Sequence, residues 1–355
     1  MFGASKTNTI VGLDIETGSI AATEVGRNGS NDVARTAIAP LDPGVVSEGE
    51  VRDPEALSAA LKALFSQNKL GKAVRLGLAN QRVVMRTLRL PLIEDEEELE
   101  TAVRFQAQDQ IPMPLDQAVL DHEVIARENG AEGGDRHMDV IAVAARRDMV
   151  SALAQALRKA GLRPVGIDLA AFGMIRALQP DGPAPVEGEA PPPTTLYCFL
   201  GDMTNLAVAR GDVCVFTRIA PFGMEDIAIR VAEREEMPLD DARDWLIEVG
   251  LEEPLDSFED DHDQATSARD ALTDGASKLV DELRVSLEFY GAQDGAPPIE
   301  QVVLCGPGST IPGLPERIQE GLGLGVEVQT PKALSHLDSE DAARLTVSYG
   351  LALSG

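Results

Sequence analysis

Basic residues are scarce in this chain. Lys and Arg number 31 against 59 Asp and Glu, giving a formal net charge of −28 over 355 residues. No basic stripe can balance such a field, which excludes nucleic acid as a partner and disfavours direct attachment to anionic lipid. Cysteine is scarcer still. Cys198, Cys214 and Cys305 are far apart in apolar, strand-like contexts with no CxxC or Cys/His ligand pattern, so they read as buried thiols in a reducing compartment. His122, His137, His262 and His336 gather no cysteines or carboxylates at ligand spacing. Asp260-Asp261-His262-Asp263 reads as a charged loop between helices rather than a metal site. No apolar run approaches the ~20 residues of a membrane span, and the first residues lack an apolar leader core. A cytoplasmic protein with no direct membrane insertion is expected.

What is present is organised around one short stretch, Val11 to Ala21. An apolar run leads to Asp14 at a strand end, then a turn of small and hydroxyl residues, Thr17, Gly18 and Ser19, then a second strand from Ile20. Such a turn can aim backbone N–H groups at a phosphate, while the carboxylate holds a magnesium-bound water. A plain β-hairpin that happens to begin with Asp is the alternative. The device recurs in the second half: Leu196 to Leu200 is a strand, Gly201-Asp202-Met203-Thr204 a turn, and Asn205 to Ala209 a second strand. Near the end, the strand Gln301 to Cys305 runs into Gly306-Pro307-Gly308-Ser309. With Glu327 downstream this imitates a dinucleotide fingerprint, but the following helix is short, carries Pro312 and Pro315, and belongs to no βαβ pair.

The pattern between these landmarks divides the chain. Residues 1–81 plus 161–180 read as a first α/β lobe, and 82–160 as an inserted α+β module of strand, helix, strand, strand, helix. Residues 181–194 read as a Pro-rich linker. Residues 195–355 read as a second lobe, with a helical subdomain over about 223–295.

Two hairpin-led halves, the Gly-Pro-Gly-Ser turn and the inserted module together resemble the actin-like ATPase superfamily, a duplicated, ribonuclease H-like α/β fold in two lobes. Within it the chain is most similar to the PilM family of type IV pilus assembly, itself related to FtsA. The blocks that carry this likeness are Leu90-Pro91 with its acidic helix running to Gln110-Ile111-Pro112, then Asp121-His122-Glu123-Val124-Ile125, and Ala160 to Asp168. Phe216-Thr217-Arg218 and Ile311-Pro312-Gly313-Leu314 add to it. The likeness spans essentially the whole chain.

The resemblance implies ATP and Mg²⁺ between the lobes. The nucleotide would be held by Asp14 (also the metal-side carboxylate), Thr17, Gly18 and Ser19, by Gly201, Asp202 and Thr204, and by Gly306, Gly308 and Ser309 at the adenosine. Four positions depart from the family pattern. Glu16 replaces a glycine, Ala21 a lysine that would pair with phosphate, Cys198 an aspartate and Leu200 a glycine. A carboxylate at Glu16 within 4 Å of a phosphate charge would cost about 4 kcal/mol at an effective dielectric of ~20. These departures count against turnover and point to a scaffold with a partly eroded ATP site.

The resemblance also implies a partner, the cytoplasmic N-terminal peptide of a PilN-type inner-membrane protein, lying between the core and the inserted module. The residues expected at that groove are Val83, Val84, Met85 and Leu88 on the module's first strand and Leu99 and Val103 on its helix. Two other readings stay open: an active ATP-dependent phosphotransferase or ATPase of the same superfamily, and an FtsA-like filament former.

Overall fold

The computed structural model describes residues 9–26, 31–128, 136–179, 192–252, 254–258, 261–293 and 295–353. β1 (Thr9–Ile15) and β2 (Ser19–Gly26) pair antiparallel with Ile15 opposite Ile20, and β3 (Val33–Pro40) adds beyond β2. A short ribbon follows, β4 (Val46–Ser47) with β5 (Glu50–Val51). α1 (Pro54–Gln67) starts at Asp53, whose carboxylate accepts from the N–H groups of Glu55 and Ala56 and so satisfies donors that a helix start leaves unpaired. β6 (Ala73–Leu78) then lies parallel to β1.

The inserted module comes next. β7 (Val84–Pro91), α2 (Glu96–Gln110), β8 (Ala118–Glu128) and β9 (His137–Arg146) give an antiparallel sheet in the order β7-β9-β8, with α2 against one face. Buried Leu88 and Leu90 alternate with exposed Thr87 and Arg89 along β7, as the two-residue period of a half-buried strand requires. α3 (Arg147–Lys159) was expected inside the module. It instead packs on α1, with Met149, Leu153 and Leu157 buried in the first lobe's core. β10 (Arg163–Leu169) returns beside β6, and α4 (Ala170–Leu178) follows at once.

The second lobe repeats this plan. β11 (Thr194–Leu200), β12 (Thr204–Arg210) and β13 (Val213–Ala220) form an antiparallel meander. α5 (Met224–Glu235), α6 (Leu239–Val249) and α7 (His262–Gly291) cover one face of it. β14 (Gln301–Cys305), α8 (Leu314–Leu322) and β15 (Val326–Val328) complete the sheet. The two large sheets run β3-β2-β1-β6-β10 and β13-β12-β11-β14-β15. Strand for strand the order is the same, so the repeat legible in the two hairpins extends to the five-stranded sheet of each lobe. Cys198, Cys214 and Cys305 are buried free thiols on β11, β13 and β14.

The C-terminus departs from expectation. α9 (Ser339–Arg344) leads into α10 (Thr346–Ala352), which lies on β1 and α4 of the first lobe, not in the second. Three glycines allow the approach. A β-carbon at Gly12 would overlap the Ser348 carbonyl oxygen, and one at Gly350 would overlap that of Gly173. Val347 and Leu351 sit in the first-lobe core, and the Thr23 and Ser348 hydroxyls share a buried 2.7 Å hydrogen bond. The Pro-rich linker falls mostly on 180–191, and the Gly-rich loop between β8 and β9 on 129–135, outside the described residues.

Candidate functional site

The β1–β2 turn and the β11–β12 turn face each other between the lobes. In the first, the Glu16 N–H donates to the Ser19 carbonyl over 2.9 Å and closes the turn. Glu16 Oε1 then accepts from the Asp202 N–H at 3.0 Å. The Asp202 carboxylate accepts in return from the Gly18 N–H at 2.7 Å. Each turn therefore gives one backbone donor to a carboxylate of the other. Side chains cover both turns closely: a β-carbon at Gly201 would meet the Glu16 carboxylate and the Phe199 ring, and one at Gly18 the Arg243 guanidinium.

Acidic groups crowd this clasp. Asp14 and Asp202 are buried. Burial, then the charge of Asp202, raises the Asp14 pKa to about 7, against the opposing hydrogen bond from the Ile15 backbone. Burial, Asp202 and Asp14 likewise push Glu16 well above the usual carboxylate range, with Arg344 pulling the other way. Arg243 of α6 holds Glu225 of α5 at 2.7 Å and reaches the first turn from the second lobe. Neither Arg243 nor Glu225 stood out in the sequence, because a charged pair 18 residues apart on two helices has no motif signature.

The other expected nucleotide contacts are engaged elsewhere. The Thr204 hydroxyl is buried and donates to the Phe222 carbonyl at 2.8 Å, bracing β12. The Ser309 hydroxyl donates to Gly306 in its own turn at 2.7 Å, and Gly308 packs against Leu200 and Met224. Gly306 adopts φ +82°, which a side chain would strain. Thr17 and Ser19 remain in the first turn. A phosphate entering between the turns would have to displace Glu16 and Asp202 from the backbone donors they occupy. In this arrangement the residues present do not fit a triphosphate. Among the described residues no group of His, Cys, Asp and Glu is arranged to hold a metal ion.

The expected peptide residues also lie elsewhere. Leu88, Leu99 and Val103 are the module's own core, packed between β7 and α2, because an amphipathic helix on a three-stranded sheet must bury its stripe there. Met85 is buried toward the first lobe, with Val83 and Val84 partly buried at the module's base. A groove of about 550 Å³ opens instead on the module's other face. Val119, His122 and Val143 line one wall; Ile167, Asp168 and Phe172 line the other. The Arg176 guanidinium grips Asp168 at 2.5 Å beside it. β8 and β10 are both edge strands of their sheets. The signal was in the sequence, since Asp121 to Glu123 and Gly166 to Asp168 belong to the family-like blocks.

Residues 12–355 match the family of the type IV pilus assembly protein PilM. The chain belongs to that family. Its fold is also similar to a chain of a PilM–PilN type IV pilus biogenesis complex, with 26% identity, 97% of each chain covered and a TM-score of 0.76. The ethanolamine utilization protein EutJ from Carboxydothermus hydrogenoformans shares the fold at 16% identity over 98% of this chain and 90% of its own, TM-score 0.55. So does MreB5 of Spiroplasma citri bound to ADP, at 15% identity over 98% and 95%, TM-score 0.55. The architecture is thus the two-lobed actin-like fold.

Proposed function

We propose that this protein is a cytoplasmic scaffold of type IV pilus assembly that holds the N-terminal segment of a PilN-type membrane protein in the groove between β8 and β10. The observation that carries the reading is the pair of edge strands flanking a groove between module and first lobe, lined by apolar side chains such as Val143 and Phe172 and by charged ones such as Asp121 and Arg176. An extended peptide can add its backbone to such an edge while side chains enter the groove near Phe172 and Val143. The similarity to a chain of a PilM–PilN complex supports the choice of partner. No helix among the described residues is long and apolar enough to cross a membrane, so recruitment through a partner suits the chain.

The clasp gives the second half of the reading. Lobe closure is held by the chain's own carboxylates, and ATP with Mg²⁺ is not needed to bring the turns together. Asp14, Thr17, Gly18, Ser19, Gly201 and Asp202 are the remains of a phosphate site whose donors now serve the fold.

Calorimetric titration of the full chain with the N-terminal peptide of a PilN-type protein tests the partner. Micromolar binding is expected, weakened at least about tenfold by Val143→Arg at the groove wall. No heat at high micromolar peptide, with the fold intact by circular dichroism, would sink the proposal.

A further inference from the structure

Along β8, Val119, Asp121 and Glu123 alternate on one face, as the two-residue period of a strand requires. Their register partners on β9 are Ala145, Val143 and Ile141, and all six residues line the groove between β8 and β10. A valine and two carboxylates therefore stand in one row along the free edge of the module's sheet. Asp121 and Glu123 are exposed, and neither joins an ion pair among the described residues. Asp121 Oδ1 accepts from the His122 N–H at 2.9 Å. The arginines of the groove do not answer these charges. Arg75 donates to the carbonyls of Leu351 and Leu353 at the end of α10. Arg176 is paired with Asp168 and donates to the Gly350 carbonyl at 3.1 Å. Both guanidinium groups hold the first lobe and α10 together, so the carboxylates of the β8 wall are left for whatever enters.

We infer, on the reading that this groove takes an extended peptide, that the peptide it selects carries a basic side chain, Lys or Arg, opposite Asp121 or Glu123, and an apolar one on the same face opposite Val119. A strand added to β8 repeats its two-residue spacing, with facing Cβ atoms about 4.5–5.5 Å apart, within reach of an ion pair. Opposite charges directly across two strands are favourable and like charges are not. The apolar wall alone would take any apolar segment; the carboxylates reject an acidic one and so add specificity. The net charge of −28 works in the same direction, drawing a cationic segment toward the chain from solution.

Calorimetric titration of the full chain with two peptides tests this: the N-terminal peptide of a PilN-type protein, and the same peptide with every Lys and Arg replaced by Gln. The neutral peptide is expected to bind about fivefold more weakly, the upper end of a cross-strand ion pair, and the gap should close in ~1 M salt, where the Debye length is ~3 Å. The double variant Asp121→Asn with Glu123→Gln, at exposed positions and with the acceptor for the His122 N–H kept, should weaken the original peptide by a similar factor and leave the neutral one unchanged. Equal affinity of the two peptides for the wild type, or equal weakening of both in the double variant, would overturn the inference and leave the groove reading standing. Binding of neither peptide would overturn the groove reading itself.

Discussion

Glu16 and Asp202, 186 residues apart in the chain, are joined by a 3.0 Å hydrogen bond from the Asp202 N–H to the Glu16 carboxylate. With the return bond from Gly18 to the Asp202 side chain, the two hairpin turns hold each other. Glu16 in the first turn supplies one half of this clasp and Asp202 in the second the other.

Removing the Glu16 side chain frees the Asp202 N–H and takes one acidic side chain out of the space between the turns. Glu16→Gly is therefore expected to bind ATP·Mg²⁺ at least about tenfold more tightly than the wild type in a calorimetric titration. Equal or weaker binding by the variant would show that the turns exclude nucleotide for another reason.

Burial raises the Asp14 pKa from 3.8 to about 7. The folded protein thus holds a proton that the unfolded chain gives up between those values. This carboxyl's contribution to stability is complete below the unfolded pKa and is lost as pH rises through the folded one. Asp14→Asn keeps the shape without the ionisation. Its stability advantage over the wild type should grow by on the order of a few kcal/mol between about pH 4 and about pH 8 in urea unfolding. A constant difference across that range would refute the assignment.

Gly350 lies where α10 crosses α4, and an added β-carbon would strike the Gly173 carbonyl oxygen. Backbone cannot retreat as a flexible side chain can. Gly350→Ala is expected to lose about 3 kcal/mol or more, read as a fall in melting temperature, by the mechanism of core overpacking. A neutral outcome would mean that α10 does not dock on the first lobe.

Leu99 and Val143 separate the module's core from its groove. Leu99→Ala should cost about 2–5 kcal/mol of stability while leaving peptide affinity of the folded protein unchanged. Val143→Arg, half-buried at the groove wall, should weaken the peptide at least about tenfold in protein that remains folded. If Leu99→Ala weakened the peptide and Val143→Arg did not, the groove would belong on the α2 side.

By itself the sequence determined the local devices. The period-two strands, the Asp53 cap, the repeated hairpins and the acidic charge balance are properties of neighbouring residues or of composition, so composition and spacing suffice to read them. The partners of particular residues were decided only by tertiary structure. Glu16 meets Asp202, α3 leaves the module for α1, α10 returns to β1, and Leu88 faces α2 instead of a peptide. Each of these depends on which surfaces are buried against which, and that is fixed by close approach of distant backbone at Gly12, Gly173 and Gly350, not by any local propensity.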